Sequence, residues 1–295
     1  MPPFDREHLL EDLQVFKPRN SAGRNVPVAI TVGVILGAIV IGCLIVGPLA
    51  WYPFIAIVAA IATWEVTYRL KQQDWQVHTL ALIAGGQLII WLSYFCGTTG
   101  VMMGLVATMM AVLVFRLFML GSNQVPRNWL RDASVSLFVV LWIPLCLALA
   151  GMLSTMDNPW EVAPQFVIAT MILCVVGNDV GGYVAGVFFG RHPMAPAISP
   201  KKSWEGFAGS LILASAIGTA AMVFLLGGQW WVGTIFGLCL AVAATLGDLV
   251  ESQFKRDLGV KDMSKLLPGH GGVMDRADGM LPAAAMTWLV LTILL

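Results

Sequence analysis

The sequence predicts an all-α, polytopic integral membrane protein with about nine transmembrane helices and a cytoplasmic N-terminus. Three observations carry that expectation. Of 295 residues, 58% are hydrophobic and only 12% charged, whereas soluble domains are about half apolar and a quarter charged. The apolar residues form continuous runs close to the ~20 residues that a helix needs to cross a ~30 Å hydrocarbon core, not the alternating pattern of a membrane barrel. Finally, all 17 Lys and Arg residues fall in segments that nine crossings from an inside start would leave in the cytoplasm.

Taken in order, residues 1–26 are a polar cytoplasmic tail with no cleavable signal sequence. Within it, Phe4, Leu9, Leu13 and Phe16 fall near one helical face, which suits a helix lying on the membrane surface. The apolar runs 27–47, 49–68, 78–95, 99–119 and 134–153 build an N-terminal scaffold, residues 27–164, that could also supply an oligomer interface. The runs 165–188, 207–226, 230–248 and 279–295 belong to a C-terminal region, 165–295, that carries the unusual polar residues. The outer connections, near Pro48, Gly97, 154–164 and Gly228, hold no Lys or Arg. Every substantial polar loop therefore faces the cytoplasm. A net charge of zero names no partner, and nothing suggests nucleic acid. The five cysteines are scattered through apolar runs without metal-ligand spacing.

Two segments, 177–210 and 247–279, concentrate carboxylates, glycines and cations. Asp179 and Asp248 lie within apolar runs, where a charge costs ~2.5–3.5 kcal/mol on insertion scales and marks function by default. Asp275 and Asp278 are three apart and face one way if helical. Paired carboxylates repel unless a cation separates them. Asp248, Asp275 and Asp278 together would suit Mg²⁺, an oxygen-seeking ion that also holds phosphate. Lys201, Lys202, Lys255, Arg256, Lys261, Lys265 and Arg276 share these segments with the turns at Gly181-Gly182, Gly206, Gly269 and Gly271-Gly272. Backbone N–H groups, cations and a metal make a phosphate site. His270 fits a phosphate contact or a loop role before that of a general base. These residues point to a metal-assisted site for phosphorylated substrates, one of them a lipid, at the cytoplasmic face.

The run from Ser252 through Phe254, Lys255, Arg256, Lys261, Asp262, Pro268, His270, Gly271, Gly272, Val273, Asp275 and Arg276 to Asp278 resembles the C-terminal signature of the phosphatidate cytidylyltransferase (CDP-diacylglycerol synthase) family. Ala277 departs from it, standing where the family has a larger apolar residue. The stretch from Asp179 through Ser199, Pro200, Lys202, Ser203 and Glu205 to Gly206 is similar to the family's second polar segment. The resemblance implies transfer of a cytidylyl group from CTP to phosphatidic acid, giving CDP-diacylglycerol and pyrophosphate in phospholipid biosynthesis at the plasma membrane. It implies Mg²⁺ and a second, monovalent cation such as K⁺, with Asp248, Asp275 and Asp278 as metal ligands. Lys255 and Arg256 would join these aspartates in catalysis. Asp179, Ser199, Pro200, Lys202, Ser203, Lys261, His270, Gly271, Gly272 and Arg276 would contact substrate. A homodimer is implied by resemblance alone.

Two other readings compete. A CTP-dependent polyprenol or diacylglycerol kinase would release CDP rather than pyrophosphate, and the long His-Gly-Gly to Asp-Arg-x-Asp match argues against it. An ion-coupled transporter would spread polar residues through many helices. Here the first five runs hold almost no charge at depth, with Glu65 and Arg116 near cytoplasmic ends.

Overall fold

A computed structural model of the chain describes residues 26–118 and 128–294. The expected surface helix over 4–16, and the basic residues of the tail, lie outside the described residues. The elements are α1 (Val26–Val46), α2 (Pro48–Gln72), α3 (Thr79–Phe118), α4 (Trp129–Met152), α5 (Pro164–Phe189), strands β1 (Pro193–Ala195) and β2 (Ser199–Ser203), α6 (Trp204–Phe224), α7 (Trp230–Asp257), the single turn α8 (Met274–Ala277) and α9 (Met280–Leu294).

Among the described residues, six helices are long and apolar enough to cross a membrane: α2 through α7. The nine expected runs fall on these six helices and two shorter ones, for two reasons. The runs 78–95 and 99–119 form the single 40-residue α3, and the first and last runs give shorter apolar helices, Ile30–Val46 and Met280–Leu294.

The interior of α3 is not straight. Gly97 has φ 57 and ψ −138, which no helix accommodates. Beyond it the chain doubles back: Thr108 Oγ1 donates to the Gly85 carbonyl at 3.1 Å, and a Cβ on Gly104 would lie 2.8 Å from Ile89 Cα. Small residues let the two arms touch backbone to backbone, as in membrane helix pairs generally. In α4, Pro144 supplies no N–H, and residues Leu141–Leu145 widen into a π segment. The Pro144 ring fits against Gly86, where a Cβ would come within 3.0 Å.

The core runs through α2, α3, α4, α5 and α7, with Tyr52, Ile89, Ile143, Ile168 and Leu240 fully buried. Trp51 ties α2 to α4 by donating from Nε1 to the Ala150 carbonyl at 3.0 Å. A buried ion pair, Arg116 to Asp132 at 2.7 Å, joins α3 to α4.

Helices α5 and α6 approach most closely. A Cβ on Gly181 would sit 2.4 Å from the Gly209 carbonyl, and one on Gly209 would sit 2.3 Å from Ala185 Cβ. Between them, β1 and β2 form an antiparallel hairpin, the exception to the helical elements of the described residues. Ser203 ends it and caps α6, its Oγ accepting from Gly206 N at 3.1 Å. Helix α7 runs nine residues past the apolar run that predicts it, to Asp257. The Ser252 to Arg256 part of the signature is therefore helical, and Glu251 and Lys255 pair four residues apart at 3.0 Å.

Candidate active site

Three helices and the hairpin enclose a cavity of about 310 Å³. Its floor is polar. Asn178 is buried on α5; its Oδ1 accepts from Thr245 Oγ1 of α7 at 3.0 Å, and its Nδ2 donates to Asp179 Oδ1 at 3.0 Å. Ser210 of α6 donates to the Asn178 carbonyl at 2.6 Å. These bonds fix α5, α6 and α7 beneath the cavity and aim Asp179 into it. Satisfied buried networks of this kind specify one arrangement of helices.

Of the residues expected to act, Asp179, Ser199, Lys202, Ser203 and Asp248 line this cavity, with Lys201 and Gly206 beside them. The Lys202 ammonium reaches Asp248 Oδ2 at 2.6 Å and the Thr245 carbonyl at 3.3 Å. Ser252 donates to the other Asp248 oxygen at 3.3 Å. One cavity wall thus carries a lysine held in place by a carboxylate.

A second polar cluster lies next to it, where α7 meets the loop before α9. Lys255 bridges Glu251 at 3.0 Å and Asp275 Oδ1 at 2.7 Å. Asp275 also accepts from Gly272 N at 2.6 Å and from Met263 N at 3.0 and 3.1 Å. Burial opposes ionisation of Asp275, but the Lys255 ammonium and these backbone donors outweigh it and hold the carboxyl below its ordinary range. Asp278 is shifted the other way. Burial raises it first, and the negative charge of Asp248 adds to that, against a hydrogen bond with Glu251 and a 2.7 Å bond from Gly279 N.

Among the described residues, no three His, Cys, Asp or Glu side chains converge as a preformed metal site. The three aspartates expected as metal ligands, Asp248, Asp275 and Asp278, differ in their surroundings. Asp275 has its oxygens occupied by Lys255 and backbone N–H groups, which makes it an anchor for that lysine. Asp278 and Asp248, with Asp179 nearby, remain a group of mutually repelling carboxylates. That surplus of negative charge suits a divalent cation.

The glycines of the signature divide by cause. Gly269 and Gly271 adopt φ 74 and 87, which side chains rarely tolerate, and they close a turn in which Leu267 N donates to the Gly271 carbonyl at 2.8 Å. Gly272 has another reason: a Cβ there would lie 2.7 Å from a Glu65 carboxylate oxygen. Its N–H donates to Asp275 at 2.6 Å. His270 rests beside α1, where a Cβ on Gly33 would lie 3.6 Å from its Nε2. Arg276 donates back to the His270 carbonyl at 3.0 Å, and Arg256 to the Ile198 carbonyl at 3.1 Å. Pro200 and Lys261 are exposed and lie outside the cavity lining.

A model of the cytidylyltransferase family matches residues 27–294. The chain belongs to this family. It is similar to phosphatidate cytidylyltransferases of Mycobacterium bovis, 41% identical over 92% of this chain and 90% of that protein, and of Mycobacterium leprae, 41% identical over 92% and 89%. A Pseudomonas aeruginosa phosphatidate cytidylyltransferase is 37% identical over 44% of this chain and 49% of its own. The protein is thus a nucleotidyltransferase, as the resemblance implies.

Placing a cytidylyltransferase on this geometry also exposes what sequence reading missed. Glu251 is buried beside Asp278 yet reads as one more charge at a helix end. Asn178 and Thr245 are uncharged and sit in apolar helices. Glu65 reads in the sequence only as a charge near a helix end. Its buried carboxylate accepts three hydrogen bonds from the signature loop.

Proposed function

We propose that the chain transfers the cytidylyl group of CTP to phosphatidic acid, forming CDP-diacylglycerol and pyrophosphate, with Mg²⁺ and at the cytoplasmic face of the plasma membrane. The observation that carries this reading is the cavity where Lys201, Lys202, Asp179 and Asp248 meet at the ends of membrane-length helices. It is supported by the 41% identity to phosphatidate cytidylyltransferases over nearly the whole chain. The arrangement fits nine crossings with the N-terminus inside: α3 crosses twice through its reversal at Gly97, and α1 and α9 add the first and last spans.

The chemistry needs little proton transfer, since the lipid phosphate is already an anion at neutral pH. One of its oxygens attacks the α-phosphorus of CTP, and the bond to the β-phosphate breaks as pyrophosphate leaves with that electron pair. The barrier is the approach of two polyanions, so positioning and charge neutralisation dominate. Lys201 and Lys202 serve as the phosphate-facing cations, and Asp248 keeps Lys202 at the wall until nucleotide arrives. Lys255, held by Glu251 and Asp275, supplies further positive charge between the two clusters. Bound Mg²⁺, on Asp248 and Asp278, would neutralise phosphate oxygens and stabilise the departing pyrophosphate. A monovalent cation such as K⁺ would add to that neutralisation.

The test uses purified protein in detergent with α-labelled CTP, phosphatidic acid and Mg²⁺. Label in a lipid product with matching pyrophosphate supports cytidylyl transfer. Labelled CDP formed only with an alcohol lipid would replace it with kinase activity.

A further inference from the structure

Helix α2 belongs to the scaffold half of the chain, yet its cytoplasmic end and the Gln73 cap that follows carry three polar residues at intervals of four. Glu65, Arg69 and Gln73 therefore share one face and span ~12 Å along the axis. Each bonds the loop that joins α7 to α8. Glu65, fully buried, accepts from Ser264 Oγ at 2.5 Å, Val273 N at 3.0 Å and Met274 N at 2.8 Å. Arg69 donates to the Met263 carbonyl at 2.6 Å and the Asp262 carbonyl at 3.4 Å. Gln73 donates to the Leu258 carbonyl at 3.1 Å. The loop is thus gripped at its start, middle and end.

We propose that this face of α2 is a latch, and that Glu65, Arg69 and Gln73 are positioning residues for catalysis. The proposal rests on the cytidylyl-transfer reading of the adjoining site. The line of action runs through Met263. Its carbonyl is held by Arg69, while its N–H is given to Asp275, which in turn holds Lys255 at 2.7 Å. At the other end, Glu65 fixes the backbone of Val273 and Met274, immediately before Asp275 and Asp278. Gly272 allows the close approach, with no side chain between its backbone and the Glu65 carboxylate. A buried carboxylate is costly unless fully bonded, and an apolar residue would fill the same space. The carboxylate adds direction, because it accepts two consecutive backbone N–H groups and sets the loop's orientation as well as its distance.

Glu65→Gln keeps the size but turns an NH₂ group toward backbone donors. In the full-length protein it is expected to lower kcat by ~10–100-fold, the range for residues that orient a reacting group through a neighbour. KM for CTP should move little, since Lys201 and Lys202 are untouched. Trypsin cleavage after Lys261 and Lys265, mapped by mass spectrometry, should quicken several-fold relative to other sites. An unchanged kcat per folded molecule, or unchanged cleavage at those two lysines, overturns the latch. If Glu65→Gln does not fold, Arg69→Gln and Gln73→Ala test it near the surface. Both should lower kcat and quicken the same cleavage, and no change in either overturns it. A wild-type protein inactive with CTP and phosphatidic acid would defeat the reading of function, while the proteolysis would still judge the latch.

Discussion

Lys202 and Asp248 form the closest pair of opposite charges in the cavity wall, 2.6 Å apart. If Lys202 exchanges the carboxylate for a CTP phosphate, Lys202→Ala should raise KM for CTP roughly tenfold, the value of one charge-assisted hydrogen bond of ~1.5 kcal/mol. Steady-state rates with CTP varied would show it, and an unchanged KM would remove Lys202 from the phosphate site. The carboxylates make a separate prediction. Mg²⁺ should raise the melting temperature of the wild type by relieving the repulsion around Asp278, and Asp248→Asn or Asp278→Asn should shrink that rise. An equal rise in all three proteins would place the ion elsewhere. At this scale the sequence revealed residues whose charge is costly where they sit, namely Asp179 and Asp248. It could not show Asn178, which has no charge, or Glu65, whose partners lie about two hundred residues away and become neighbours only on folding.

The helix pair α5 and α6 shows how an element positions the site. Its close approach brings Asp179 and Ser203 to one cavity, and Gly181 and Gly209 allow it. Gly209→Ala should wedge the helices apart at an overpacking cost of ~1–3 kcal/mol and reduce activity with it. Gly37→Ala in α1 is the contrast, because no atom lies within 4 Å of its Cβ. Its stability should match the wild type. Thermal unfolding of both variants in one detergent checks this, and equal melting points would discount the packing argument. Long apolar runs made the helices legible. Their ends were less so, because the apolar run stops at 248 while α7 continues through paired polar side chains to Asp257. The β1–β2 hairpin left no trace in hydropathy, being short and without a buried residue.

For the whole molecule, the distribution of Lys and Arg predicts which loops face which side. With the native cysteines replaced by alanine, a cysteine at Asp157 should react with a membrane-impermeant thiol reagent on intact cells. A cysteine at Lys201 should react only after permeabilisation. The reverse pattern would invert the molecule, and labelling of both from outside would refute the nine-crossing arrangement. The cysteine-free protein should retain activity, since Cys146 and Cys174 are buried packing residues outside the cavity lining.

The hydrogen bonds of Glu65 span 199 to 209 residues of sequence, which has a consequence for biogenesis. A chain made from its N-terminus presents this carboxylate 199 to 209 residues before its partners. Contacts so distant form late, because the loop they close carries a large entropic cost. Until then the Glu65 carboxylate on α2 lacks the bonds that satisfy it in the folded protein. The contact between Glu65 and the signature loop is therefore expected to form late in folding, joining the two halves of the chain.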